Sequence, residues 1–381
     1  MKNKLLLVLI ALLLLLTSCA TVVSIPYMKS SNVDMSRYRN IALASAVPYK
    51  GGYMDVVSYM RAYDFESSYY PVYSSYSRQL PQNVADYATN AVVNALSKNG
   101  YYSILSPSET DTIIMLSKIG MSSSNKFAEY GVDAVIIPSI DDMKVDEYSK
   151  VYIDSYKDAK DPKTGQVVKV PHYTYAYYQR VSVTLSLTVV DTKTERIVAK
   201  RSYSNSNPTY IEYTYTPYGQ GCVLPYSSVN NPYSSFKSII NDFKGAIISD
   251  FIPTRRYYNT ELLANKPKVK SLESAYQAAE DGSFELAYNG FIEEWNRSGH
   301  INAAYNAALM KAGLGDIDSA IAVLENVMKS VSSGDINYLY NKLIGYKAED
   351  EKAKAQLEGT NSVSAAGSSQ SIYSIYEALG K

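Results

Sequence analysis

Val181-Ser182-Val183-Thr184-Leu185-Ser186-Leu187-Thr188-Val189-Val190-Asp191 decides the fold class of this 381-residue chain. Apolar and small polar residues alternate with period two, the pattern of a strand with one buried and one polar face. Asp191-Thr192-Lys193-Thr194 then turns the chain into Arg196 to Tyr203, which predicts a hairpin.

Upstream, Asn40 to Ala44 and Ala134 to Pro138 read as buried strands, and Tyr101 to Leu105 as a short one. Pro81 opens a helix whose apolar positions Val84, Tyr87, Ala88, Ala91, Val92, Ala95 and Leu96 fall at steps of three and four. Asn99-Gly100 ends it. Shorter helices are expected from Ser108 towards Lys118 and up to Tyr130, with Gly131 as the stop. Downstream, residues 204–233 read as irregular, and Phe236 to Phe251 as a helix closed by Pro253. Strands and helices in this order predict an α+β domain, a mixed sheet with packed helices, over residues 36–262.

The N-terminus carries a different signal. Lys2 and Lys4 precede an unbroken apolar run from Leu5 to Leu16, followed by Thr17-Ser18-Cys19. A basic start, a short apolar core and small residues form a secretory leader. Twelve helical residues reach roughly 18 Å, too short for a hydrocarbon core of about 30 Å. The Leu16-Thr17-Ser18-Cys19 ending resembles the lipobox of bacterial lipoproteins. That resemblance implies cleavage of residues 1–18, a lipid on Cys19 and attachment to the membrane through that lipid. Residues 19–35 then read as a lipidated polar tether. Ala20 is not the aspartate that retains such proteins at the inner membrane, so the resemblance implies an outer-membrane location facing the periplasm.

Three pieces in order carry a second resemblance. They are the strand Ile41 to Ala44, the helix ending at Leu96 before Tyr101-Tyr102-Ser103-Ile104-Leu105, and Tyr130-Gly131-Val132-Asp133-Ala134-Val135-Ile136-Ile137 followed by the Val181–Asp191 hairpin. Over about 230 residues this order resembles bacterial envelope lipoproteins of the curli secretion-channel (CsgG-like) type and their relatives that activate penicillin-binding proteins. The resemblance implies an α+β envelope domain and a possible homo-oligomer. Channel members extend hairpins into a membrane barrel. Here Lys150, Asp154, Lys157, Asp158, Lys160 and Lys169, with Pro171, Pro208 and Pro217, argue against a clean lipid-facing stripe.

Residues 271–330 repeat with a step of 33. Ala275 aligns with Ala308, Ala279 with Ala312, Gly282 with Gly315, Phe284 with Ile317, Ala287 with Ala320, and Phe291 with Leu324. This resembles tetratricopeptide-type helix pairs, a TPR-like all-α domain over residues 268–352 with a capping helix from about Ile336 to Lys352. Two readings stand: a groove for a partner segment, or a helical spacer packed on the first domain. Residues 353–381 read as a flexible tail with a short apolar end, Ile372 to Leu379, free to dock on its own chain, on a partner or nowhere.

Composition removes several function classes. Net charge is 0, and about −2 without Lys2 and Lys4, so no electrostatic footprint for nucleic acid exists. Beyond Cys19 only Cys222 remains, which excludes an intrachain disulfide and a cysteine zinc site in the mature chain. His172 and His300 fall in different expected domains, and adjacent Asp141 and Asp142 on a strand edge should point in opposite directions. No catalytic residue, metal site or cofactor is nominated, and the expectation is a non-enzyme.

Tyrosine is over-represented, with 38 against 7 Phe and 1 Trp. Segments 49–76, 148–178 and 203–233 hold 22 of the 38, and rings on a rigid sheet grip a protein loop or stack on glycan at small entropic cost. Tyr173, Tyr175, Tyr177, Tyr213 and Tyr215 are the candidate binding residues. The expected function is a non-enzymatic envelope lipoprotein that binds or scaffolds other envelope proteins. An oligomeric secretion pore and a peptidoglycan-associated factor are the alternatives.

Overall fold

The computed structural model describes residues 21–52, 67–70, 79–116, 122–215, 232–359 and 371–379. The protein is α+β, in two compact units that are each discontinuous in sequence. One unit spans Asn32–Ile252 and takes back the C-terminal residues; the other joins the N-terminal segment to Pro253–Thr360.

In the first unit the strands are β2 (Asn40–Leu43), β3 (Ser67–Tyr70), β4 (Ser103–Leu105), β5 (Ala134–Lys160), β6 (Val167–Asp191) and β7 (Ile197–Tyr215). The sheet order is β4-β2-β5-β6-β7, with β3 pairing on β5. β2 runs parallel to β4 and β5, whereas β5, β6 and β7 are antiparallel, so the sheet is mixed. The alternation quoted above sets its faces. Val181, Val183, Leu185, Leu187 and Val189 are fully buried in a core with α1 (Leu80–Leu96) and α4 (Pro232–Phe251). Ala42, Ala44, Val135, Ile137 and Val190 lie on the opposite face with α2 (Pro107–Leu116) and α3 (Ser123–Glu129).

The Asp191 turn forms as its sequence requires. Asp191 Oδ1 accepts from the N–H groups of Lys193 at 3.0 Å and Thr194 at 2.7 Å, and Tyr38 donates to Oδ2 at 3.0 Å. Burial alone would raise this carboxyl's pKa; the bonds from Thr194, Tyr38 and Lys193 outweigh it and hold the group below its ordinary range.

Several expectations change. β5 does not stop at Pro138 but runs 27 residues, and β7 continues to Tyr215 where irregular chain was expected from residue 204. Pro171 and Pro208 sit inside strands, paired with Tyr156 and Arg180. Pro171 lies on the stretch of β6 beyond the end of β7, and Pro208 lies on β7 at the end of the sheet order, so each has a described strand neighbour on one side only, the setting in which sheets tolerate proline. The apolar tail end forms α10 (Ile372–Leu379) and docks on its own chain, with Ile372 and Ile375 buried against the second sheet face.

The second unit overturns the polar tether. Residues 22–29, expected within a free linker, form β1 (Val22–Lys29), which pairs antiparallel with β8 (Thr254–Glu261) from Val22↔Glu261 to Lys29↔Thr254. Alternation explains it: Val23 and Ile25 are fully buried while Val22 is 53% exposed. Five helices follow: α5 (Glu273–Glu280), α6 (Phe284–Ser298), α7 (Ile301–Gly313), α8 (Ile317–Met328) and α9 (Gly334–Glu358). The 33-residue step coincides with the pairs α5–α6 and α7–α8. Gly282 and Gly315 take the left-handed turn positions at φ 75° and 84°. Ala275, Ala308, Phe291 and Leu324 are buried at matching places. The last helix runs six residues beyond the expected cap, to Glu358.

β1 lies on α7, the first helix of the second pair, and on α9. A Cβ on Gly313 would meet Val23 Cγ1 at 2.8 Å, so glycine is what admits the strand there. Tyr27 stacks on Tyr346 at 4.4 Å between ring centroids, Ser30 Oγ donates to Glu349 at 2.8 Å, and Ser31 N–H donates to Gln356 at 2.8 Å. The protein's own strand covers this part of the helical surface, for which a partner groove was one of the two readings.

Candidate functional site

The core of the first unit ends near Val145 on β5 and Val181 on β6, yet the pairing does not. β5 and β6 stay paired antiparallel to Lys160↔Val167, with a register shift between Ile153 and Ser155, and are closed by the Asp161–Gly165 turn; β7 accompanies them to Tyr173↔Tyr215. The carboxylate of Asp161 caps that turn, accepting from Lys163 N–H at 2.7 Å, and Gly165 takes φ 70°. At about 3.3 Å per residue the β5–β6 extension reaches roughly 45 Å.

The register brings the five nominated tyrosines to one face. Tyr173 pairs with Tyr215, Tyr175 with Tyr213, and Tyr177 with Ile211. On β5 the partners are Ile153, Val151 and Ser149, and β3 adds Tyr70 opposite Ser149. The intervening face carries Thr174, Ala176 and Tyr178, with Tyr210, Glu212 and Thr214 across from them. Period two therefore gathers the five nominated tyrosines with Ile153, Val151 and Ile211 on one face, while Tyr148, Tyr152, Tyr178 and Tyr210 share the other with threonine and charged residues. The sequence named the residues, but it did not place residues 204–215 in a strand, so the face itself was missed.

The other candidates have structural roles or lie elsewhere. Cys19 and Cys222 fall outside the described residues. His300 caps α7: Nδ1 accepts from Ala303 N–H at 3.2 Å and Nε2–H reaches the Pro267 carbonyl at 2.9 Å. His172 lies buried on β6, opposite Ser155. Asp141 and Asp142 do not point to opposite faces of a strand. A bulge between Ile140 and Asp142 inserts a residue, so buried Ile140 and Met143 bracket two exposed carboxylates. Asp141 accepts from Ser139 and Ser186, each at 2.6 Å, and lies 3.6 Å from Lys200. Among the described residues no group of three or more His, Cys, Asp or Glu could hold a metal ion. Nor is any described helix long and apolar enough to cross a membrane.

A second aromatic cluster, in the helical unit, was not nominated. Tyr338, Lys342 and Tyr346 follow one another at four-residue steps on α9. Lys342 Nζ lies 5.5 and 5.9 Å from the rings of Tyr338 and Tyr258, and Tyr258 and Tyr346 are 5.4 Å apart. Burial, with the neighbouring phenols Tyr258 and Tyr27, pushes Tyr346 up to about 12. These rings seal β1 and β8 onto α9. The i, i+4 spacing was the available signal.

No protein-family model matches the chain, and no curated protein is significantly similar to it.

Proposed function

We propose that this protein is a non-enzymatic lipoprotein of the bacterial cell envelope, held in the membrane by a lipid on Cys19, that binds another envelope protein. A CsgG-like character for the α+β unit and a TPR-like character for the helical unit belong to the same reading. The observation that carries it is the alignment of Tyr173, Tyr175, Tyr177, Tyr213 and Tyr215 on one face of strands that outrun their core. Tyrosine gives large, stiff contact area with a polar tip, which suits a protein interface. Co-purification from detergent-solubilised membranes tests it. A stable partner should be recovered with the native chain and lost with Tyr175→Ser/Tyr213→Ser. A chain that remains alone, or a partner indifferent to that substitution, refutes it.

The oligomeric pore is the second reading, and one observation favours it. The paired extension exceeds the 9 to 11 residues that a spanning strand needs, and Pro171 and Pro208 do not break it; Pro217 lies outside the described residues. Rings of uniform size in detergent would select this reading; a monomer at every concentration would remove it.

A further inference from the structure

The start of β1 fixes which surface of the helical unit meets the membrane. We infer that the lipid holds this unit against the bilayer by its first helix pair, around the α5–α6 turn, and that α9's C-terminal end lies on the side away from the lipid. The inference rests on lipidation of Cys19 and adds what that reading lacked, an oriented lipid-facing surface.

The argument is one of chain length. A free tether to residue 35 would reach about 55 Å, at up to 3.6 Å per residue, and would orient nothing. The structure leaves three residues from Cys19 to Val22, at most about 11 Å. Val22 is already in register with Glu261, and the Thr21 carbonyl accepts from Leu262 N–H at 3.1 Å. The strand then crosses the helices in order. Thr21 Oγ1 donates to Glu280 at the end of α5 at 3.4 Å, Val23 meets Gly313 at the end of α7, and Ser31 meets Gln356 on α9. From Val22 to Lys29 is roughly 23 Å of strand, with Ser31 two residues further on.

The surface around that starting point carries exposed apolar side chains and, among the described residues, no cluster of basic ones. Val22 is 53% and Leu286 66% exposed. Glu280, bonded to Thr21, and exposed Asp281 lie at the same end of β1, so headgroup charge does not hold the face to an anionic bilayer; the acyl chains do. Its proximity to lipid should therefore survive added salt, which screens repulsion and not attraction here.

The lipidated full-length chain, with Cys222→Ser, is reconstituted in phosphatidylethanolamine/phosphatidylglycerol vesicles carrying a headgroup nitroxide. A bimane is attached at Asp281→Cys or at Lys354→Cys. Quenching at 281 should exceed that at 354 several-fold, at low and high salt alike. A Gly/Ser insert of about twenty residues after Ala20 should abolish the difference. A chain that floats with the vesicles but is quenched equally at both positions overturns the inference. A Cys19→Ser chain that floats as well as the native one overturns the lipid reading instead, so the two failures are distinguishable.

Discussion

Ile25→Ala tests whether β1 is an integral part of the helical unit. Ile25 is fully exposed in a free tether and 0% exposed in the strand, where it pairs with Tyr258 and belongs to the α5–α9 core. The substitution removes three carbons, at about 0.8 kcal/mol of transfer energy each, and leaves a cavity that a two-stranded ribbon only partly fills. The expected loss is about 3 kcal/mol, or roughly 10 °C in the melting of a unit this size. Hydrogen exchange resolved by segment is the assay. Protection should fall in α7 and α9, the helices β1 touches, while α1 and α4 keep theirs. Ser24→Ala is the control. Ser24 faces outward, bonded to Asn259 at 2.6 Å, and its loss should cost no more than about 0.5 kcal/mol. If Ile25→Ala behaves like Ser24→Ala, or leaves α7 and α9 unchanged, the strand does not close the helical surface and the inferred orientation loses its basis.

Gly313→Ala should destabilise the same unit by about 1–3 kcal/mol, because the new methyl meets Val23 at 2.8 Å and the Phe284 ring at 3.1 Å. In a Val23→Ala background most of that cost should vanish, and a double-mutant cycle on urea melts that shows additivity would contradict the contact. Glu294, with its side chain 2% exposed, is held down to about 2 by hydrogen bonds from Ser271, Ser298 and Arg297. Its folded pKa lies below its unfolded value, so its contribution, on the order of 2–3 kcal/mol, is present above about pH 4.5 and fades as pH falls towards 2. Glu294→Gln should flatten the stability–pH profile in that window alone; an unchanged slope would refute the assignment. Ile375→Asp, placing a charge at a buried site, should release α10, read as loss of its amide protection while β5 and β6 stay protected. Protection retained in α10 would show that its apolar face does not hold it.

What the sequence revealed depended on whether periodicity was local. The Val181–Asp191 alternation, the α1 stripe and the 33-residue step each lie within one or two neighbouring segments, and each corresponds to a described element. β1 was missed because Val22 to Lys29 is short, and its pairing and burial come from a strand and helices more than 200 residues away. The Asp161–Gly165 turn marked the β5–β6 extension, with Tyr148–Tyr156 and Val167–Tyr178 on either side of it, but the distal half of β7 was missed for another reason. Ser, Asn and Pro weaken the strand signal where no core demands apolar residues, and antiparallel pairing carried those residues along. The tyrosines were legible as residues, but not as a face, because a face needs a register. The bulge at Asp141 left no mark in the sequence.

The sheet extension also raises an energetic question that bears on function. Cross-strand pairs contribute roughly 0.2–1 kcal/mol each, so the three rows at Tyr173–Tyr215, Tyr175–Tyr213 and Tyr177–Ile211 supply a few kcal/mol at most. Fixing a residue's backbone costs about 1–2 kcal/mol, and the paired hydrogen bonds return about one each. Such a sheet is marginal until something covers its apolar face. Among the described residues β3 adds only Ser67–Tyr70 at its side. Either a partner protein or neighbouring copies in a ring would meet that need, because both desolvate the same tyrosines. Slower exchange of Tyr173–Tyr178 and Tyr210–Tyr215 amides on assembly is therefore expected under both readings, and the stoichiometry of the assembly separates them. Equal exchange in the free and assembled protein would place the contact elsewhere on the chain.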